Sequence, residues 1–124
     1  MTELCRGKRT DNGEWVYGSL YRYGETSMSI AYLDYESDII PETVGVFTGY
    51  RALNYERIFE GDILRSLTGK YILVTDSGCG DWTFIDIQDN RICDWLNVRM
   101  LSAYRIVDNI HDNPDFVETY RLKF

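Results

Sequence analysis

Apolar and polar positions alternate over short runs broken by turn residues along most of this chain. That pattern predicts strands joined by hairpins rather than amphipathic helices. Leu4 to Arg9 and Glu14 to Tyr23 flank Thr10-Asp11-Asn12-Gly13, and Asn-Gly between two such runs is a strong hairpin signal. In the second run Trp15, Tyr17, Ser19 and Tyr21 share one face, with Val16, Gly18, Leu20 and Arg22 on the other. Gly18 inside a strand predicts a bulge or a close backbone approach. Met28 to Tyr35 reads as a further strand, and the acidic stretch Asp34 to Asp38 as a turn or loop. Pro41 restricts the segment after Ile39-Ile40 to an edge or an irregular extended path.

Past that point a strand is expected to reach a turn at Thr48-Gly49, followed by a bridge to the apolar pair Ile58-Phe59. Glu60-Gly61-Asp62 then turns the chain into a strand from Asp62 to Leu67, paired through Thr68-Gly69-Lys70 with Tyr71 to Asp76. Ser77 to Asp81 is a glycine-rich loop, Trp82 to Ile87 a strand, Arg91 to Trp95 its partner, and Met100 to Ile110 the last strand, with a helical turn as an option before it. Asp112 or Asn113 suits a helix cap with Pro114 at the first helical position. A helix from Pro114 to about Leu122 is too short to stand alone and would dock through Phe116, Val117 and Tyr120. The fold class expected is mainly β: a small SH3-like barrel or sandwich built from hairpins, with a short C-terminal helix. One domain spans 1–124, with a possible N-terminal lobe over 1–47 and a barrel lobe over 56–111.

Several of these segments carry a family resemblance. Phe47-Thr-Gly, a spacer, and Glu60-Gly-Asp-Ile63 resemble the signature of the YopX family of small phage and prophage proteins. Arg6-Gly-Lys-Arg-Thr10 with Asn12-Gly13-Glu14-Trp15-Val16-Tyr17-Gly18 is similar to that family's opening. Asn109-Ile110-His111-Asp112-Asn113-Pro114 is similar to its closing motif. One departure stands out. The family places a second Asn-Gly turn between its two central elements, whereas this chain reads Ala52-Leu53-Asn54-Tyr55. Without glycine after Asn54 a tight turn is harder to form, so a longer loop is expected there. The resemblance implies a phage or prophage source and a fold, and names no reaction.

Composition narrows the classes. A chain of 124 residues is long enough to bury a core, and its ten Tyr, three Trp and five Phe lean towards sheet. No stretch approaches the roughly 18 apolar residues of a membrane helix, and nothing reads as a secretory signal. The expectation is a cytoplasmic protein, in the host cytoplasm if phage-encoded, with no membrane partner. Thirteen basic against twenty acidic side chains give a formal charge of −7. That disfavours nucleic acid, because Arg6, Lys8 and Arg9 form only a small basic patch. An acidic surface suits a basic host protein or mimicry of DNA, and it also serves plain solubility. Cys5, Cys79 and Cys93 are odd in number and lack a C-x-x-C spacing, so they predict neither a disulfide framework nor a zinc ribbon.

Candidate chemistry is sparse. His111 is the only imidazole, and Asp108, Asp112 and Asp115 around it form a conceivable oxygen-and-nitrogen set for a divalent metal. Those acids also sit where a helix start needs caps, so no metal and no cofactor are assigned. Asp76 with Asp81, and Glu60 with Asp62, each bracket glycine turns, where Asp is favoured for bonding the local backbone. Gly78-Cys79-Gly80 lacks the ending of a phosphate loop and runs into a strand. The tyrosine face of Trp15, Tyr17, Tyr21 and Tyr23 is core, subunit interface or ligand platform. Asp81, Trp82 and His111 are the candidate ligand-binding residues, and no catalytic residue is assigned. The function read from the sequence is a non-enzymatic protein acting as a homo-oligomer or a host-interaction module. The alternative is a small-molecule or nucleotide binder, or a metal-dependent hydrolase using Asp108, His111 and Asp112.

Overall fold

The computed structural model describes residues 4–76, 82–89, 91–93 and 96–116. The chain is mainly β, and it divides into two compact units, Met1–Phe47 and Thr48–Phe124.

The N-terminal unit is built from β1 (Leu4–Lys8), β2 (Trp15–Tyr23), β3 (Ser27–Tyr32), β4 (Tyr35–Ile39) and the first residues of β5 (Gly45–Arg51). The strand order is β4-β3-β2-β1-β5, antiparallel throughout. The Asn12-Gly13 hairpin forms as the sequence requires. The Arg9 backbone N–H donates to the Glu14 carbonyl at 2.9 Å, and Asn12 Oδ1 accepts from the Glu14 N–H at 2.9 Å. The sheet curls until the end of β1 meets the end of β4, through a bridge between Arg9 and Ile39 and an Ile40 N–H to Lys8 carbonyl bond of 2.8 Å. Inside the curl Cys5, Ile30 and Ile39 are buried and pack with Val16, Leu20, Val44 and Val46. Gly18 makes the close approach possible, because a Cβ there would stand 2.2 Å from the Ala31 carbonyl oxygen. The register runs unbroken through Gly18, so close approach, and not a bulge, is the reason for glycine.

Two expectations are corrected along β4 and β5. The segment Asp34 to Asp38 is not a loop: β3 ends at Tyr32, the chain turns at Leu33-Asp34, and β4 pairs back with Tyr32 opposite Tyr35. Its carboxylates fall on alternate positions, Glu36 and Asp38, while Ile39 is buried. Thr48-Gly49 is not a turn either. β5 continues to Arg51, with Gly49 at φ 88° inside it.

In the C-terminal unit the rest of β5 pairs with β6 (Arg57–Phe59). The loop between them holds a 3₁₀ turn at Leu53–Tyr55, closed by the Ala52 N–H to Glu56 carbonyl bond of 2.8 Å. This is the longer loop expected where glycine is missing, and Asn54 and Tyr55 both sit at φ 63°. A second sheet follows, of β7 (Asp62–Arg65), β8 (Tyr71–Asp76), β9 (Trp82–Asp86), β10 (Arg91–Ile92) and β11 (Arg105–Asn109) in the order β10-β9-β8-β7-β11. The last strand is shorter than the sequence suggests, because Val98–Ala103 forms 3₁₀ turns before it. Asn97 caps that segment by accepting from the Arg99 N–H at 3.0 Å.

Ile63-Leu64 and Ile72-Leu73-Val74 read as continuous apolar runs because both faces of the sheet are covered. Leu64, Ile72 and Val74 join Ala52, Ile58, Phe84, Cys93, Leu101 and Tyr104 on one side. Ile63 and Leu73 pack with Ile87 on the other, against Tyr71, Ile85, Ile110 and Phe116. Burying each large side chain contributes about 1.5–3 kcal/mol. Phe116 meets Tyr71 edge to face at 5.2 Å, which anchors the start of the C-terminal segment. The expected helix beyond Phe116 lies outside the described residues.

Candidate functional site

The tyrosine face belongs to the N-terminal unit and is not its core. Val16, Leu20 and Ile30 fill the interior, so Tyr17, Tyr21 and Tyr23 on the opposite parity of β2 point outward and are exposed. At the end of the next hairpin Leu33 is 81% and Tyr35 79% exposed, and Tyr32 pairs with Tyr35 one position off the face of Ala31 and Glu36. Six large apolar side chains are thus exposed within Tyr17 to Tyr35. Exposed apolar side chains scattered singly need no explanation, but a contiguous patch marks an interaction site.

Between them lies an open groove of about 240 Å³ lined by Tyr21, Tyr23, Ala31, Leu33, Tyr35 and Glu36. The register explains the grouping, since Tyr21 pairs with Ser29 and Ala31 pairs with Glu36, which places all four on one face. The buried Ser29 hydroxyl donates to Glu36 Oε1 at 2.5 Å, and the Tyr23 hydroxyl donates to the same oxygen. Those two bonds, Ser29 first, hold the Glu36 carboxyl below its usual range. The same bond with Glu36 pushes the Tyr23 phenol up. The groove therefore presents a fixed carboxylate among tyrosine rings. Such a site suits a cationic side chain, which a ring face attracts by about 0.5–1 kcal/mol at an exposed position. The neighbouring Trp15 already stacks with cations of this chain, Arg6 at 4.6 Å and Lys8 at 5.4 Å from the ring centre.

The basic patch of the sequence dissolves in this arrangement. Arg6 is buried, and Arg9 forks onto Asp11 with bonds of 3.0 and 2.7 Å, which lowers the Asp11 carboxyl pKa. From Tyr23 to Tyr50 there are five carboxylates, Glu25, Asp34, Glu36, Asp38 and Glu42, and no Lys or Arg. The acidic composition of Asp34 to Asp38 suggests a loop and so masks the groove in the sequence. Alternation of Tyr35, Ser37 and Ile39 with Glu36 and Asp38 is the signal that locates it.

The residues singled out from sequence scatter. Asp81 lies outside the described residues. Trp82 opens β9 opposite Asp76 and packs on the larger core cluster. His111 follows β11, beside Gly61. Three strand spacings separate β9 from β11, roughly 14 Å, so Trp82 and His111 do not converge. Around His111 the acids serve the turn: Asp112 Oδ2 accepts from Asn109 Nδ2 at 2.9 Å, and Asp108 Oδ2 from Asn113 Nδ2 at 3.1 Å. Among the described residues no group of three or more His, Cys, Asp or Glu side chains is placed to hold a metal.

The F-T-G and E-G-D elements have structural work. The buried Thr48 hydroxyl donates to the Ile58 carbonyl at 2.8 Å and accepts from the Tyr50 N–H at 3.0 Å, tying β5 to β6. Gly61 sits at φ 88° between β6 and β7, and buried Asp62 closes that turn by accepting from the Phe59 N–H at 2.8 Å. A sequence model described as YopX protein matches residues 5–118 of the chain. No curated protein matches it.

Proposed function

This chain belongs to the YopX family, and from that premise we propose that it is a phage- or prophage-encoded, non-enzymatic binding protein of the host cytoplasm. It engages a partner through the tyrosine face of its N-terminal unit. One observation carries the reading: four exposed apolar residues, Tyr21, Tyr23, Leu33 and Tyr35, line a groove with a carboxylate fixed by two hydroxyls. Five acids without a counter-cation from Tyr23 to Tyr50 favour a basic host protein. Two copies of this face would set like charges against each other, so self-association through it is the weaker form of the proposal.

The C-terminal unit is read as an SH3-like barrel acting as scaffold. Its order of last, first, second, third and fourth strand, with 3₁₀ turns before the last, supports that reading.

The test is binding of lysine- and arginine-rich peptides to the intact chain, with light scattering on the same samples. Basic peptides are expected to bind a monomer, acidic peptides not at all, and Tyr21→Ser/Glu36→Gln to weaken binding at least tenfold. A stable oligomer that the same double substitution dissociates assigns the face to self-association. Equal peptide binding by parent and variant refutes the role of the face.

A further inference from the structure

Arg65 on β7 and Arg105 on β11 are direct cross-strand partners, so their side chains leave the same face of the sheet side by side. Both are exposed, and among the described residues neither guanidinium has a carboxylate within ion-pair distance. Like charges placed directly opposite destabilise a sheet. The pair faces a groove of about 240 Å³ whose other walls include Leu53, Asn54, Glu56 and Val107. The Leu53 N–H donates to the Tyr104 carbonyl at 2.8 Å, which fixes the left-handed Asn54-Tyr55 loop beside Arg105. Unfavourable backbone conformations gather where a ligand is clamped. Two unneutralised guanidinium forks, a strained loop and a cavity thus coincide, all within the C-terminal unit.

We infer that this groove binds the phosphoryl head group of a small phosphomonoester. A guanidinium fork matches two oxygens of a phosphate, and a pair of forks can hold three or four. The anion removes the repulsion between the arginines, so binding is strengthened by relief of a cost already present in the empty groove. The Asn54 amide on the rim can supply further donors. Glu56 on the same rim accepts hydrogen bonds and repels a second anionic group. The class that fits is therefore a monophosphate with a hydroxyl or N–H donor near its charge, such as a sugar phosphate or mononucleotide, and not a polyphosphate. The volume is below the roughly 300–1,000 Å³ of sites that engulf a drug-sized molecule, so the head group enters and the remainder stays in solvent. A formal charge of −7 argues against a nucleic acid strand as the source of the phosphate.

Amide chemical shifts of the intact chain titrated with inorganic phosphate, and with ribose 5-phosphate, at constant ionic strength test this inference. Chloride serves as the control ion. Saturable shifts are expected at Leu53 to Glu56, Arg65 and Arg105 to Val107, with ribose 5-phosphate binding at least as tightly as phosphate. Arg65→Gln and Arg105→Gln should each weaken binding about tenfold or more, the value of one lost charged hydrogen bond. Arg105→Lys keeps the charge without the fork and should fall between. No shift beyond that of chloride, or the same curve in the double Gln variant, overturns the site. Shifts of equal size at other exposed arginines, such as Arg91 and Arg99, reveal nonspecific screening and overturn it as well. None of these readouts involves the tyrosine face.

Discussion

The Tyr23 hydroxyl donates to the Glu36 carboxylate from two strands away, over the buried hydroxyl of Ser29, which donates to the same oxygen. A depressed carboxyl pKa in the folded state stabilises at pH above the ordinary value of 4.5 and loses that contribution as pH falls through the folded pKa. Removing a donor should move the carboxyl back. Ser29→Ala is expected to raise the Glu36 pKa most and Tyr23→Phe next, as read from its side-chain carboxyl resonance in an NMR titration. An unchanged midpoint in both variants would show that these bonds are absent in solution.

Gly18→Ala should be the costliest methyl in the N-terminal unit. The obstacle 2.2 Å away is the backbone carbonyl of Ala31, which cannot swing aside as a side-chain tip can. Overpacking of this kind costs roughly 2–3 kcal/mol. Urea denaturation would measure it, and a loss below about 0.5 kcal/mol, the range of neutral surface changes, would contradict the close approach.

Tyr55 is 82% exposed and holds φ 63°, a conformation that costs a non-glycine residue about 1–2 kcal/mol. Tyr55→Gly removes that strain while adding up to about 1 kcal/mol of unfolded-state entropy, so a net gain of about 0.5 kcal/mol is expected. Tyr55→Ala keeps the strain and should bring no gain. Melting temperatures of the pair decide the matter, and a destabilised Gly variant would place a packing role on the Tyr55 ring.

Asp62 is 1% exposed and takes the Phe59 N–H at 2.8 Å inside the turn at Gly61. Asp62→Ala leaves that buried donor unsatisfied, at a cost of about 1–3 kcal/mol. Chemical denaturation should show the loss without a change of sheet content by circular dichroism. A neutral result would mean that water reaches the Phe59 amide.

Local signals were enough for the Asn12-Gly13 hairpin, for Tyr71–Asp76 and for the buried runs at Ile63-Leu64 and Ile72-Val74. In each case turn chemistry or apolar continuity acts within a few residues. Three other features escaped. β4 was hidden because Glu36 and Asp38 looked like loop composition, although an edge strand commonly carries charge. Gly49 reads as a turn residue when its positive φ is in fact accommodated inside β5. The facing of Arg65 and Arg105 exists only once β11 pairs beside β7, forty positions along the chain, and no local pattern encodes that register. The direction of the tyrosine face likewise follows only from the tertiary packing, in which Val16 and Leu20 fill the curl.

The burial of two thiols has a practical consequence. Cys5 is 4% exposed among the residues of the first core and Cys93 is 5% exposed within the second. Alkylating reagents can reach either sulfur only when its own unit opens, so labelling rates report opening of each unit separately under native conditions. With Cys79 replaced by serine, the chain would carry one chemical clock in each half, able to reveal whether the halves breathe together or apart.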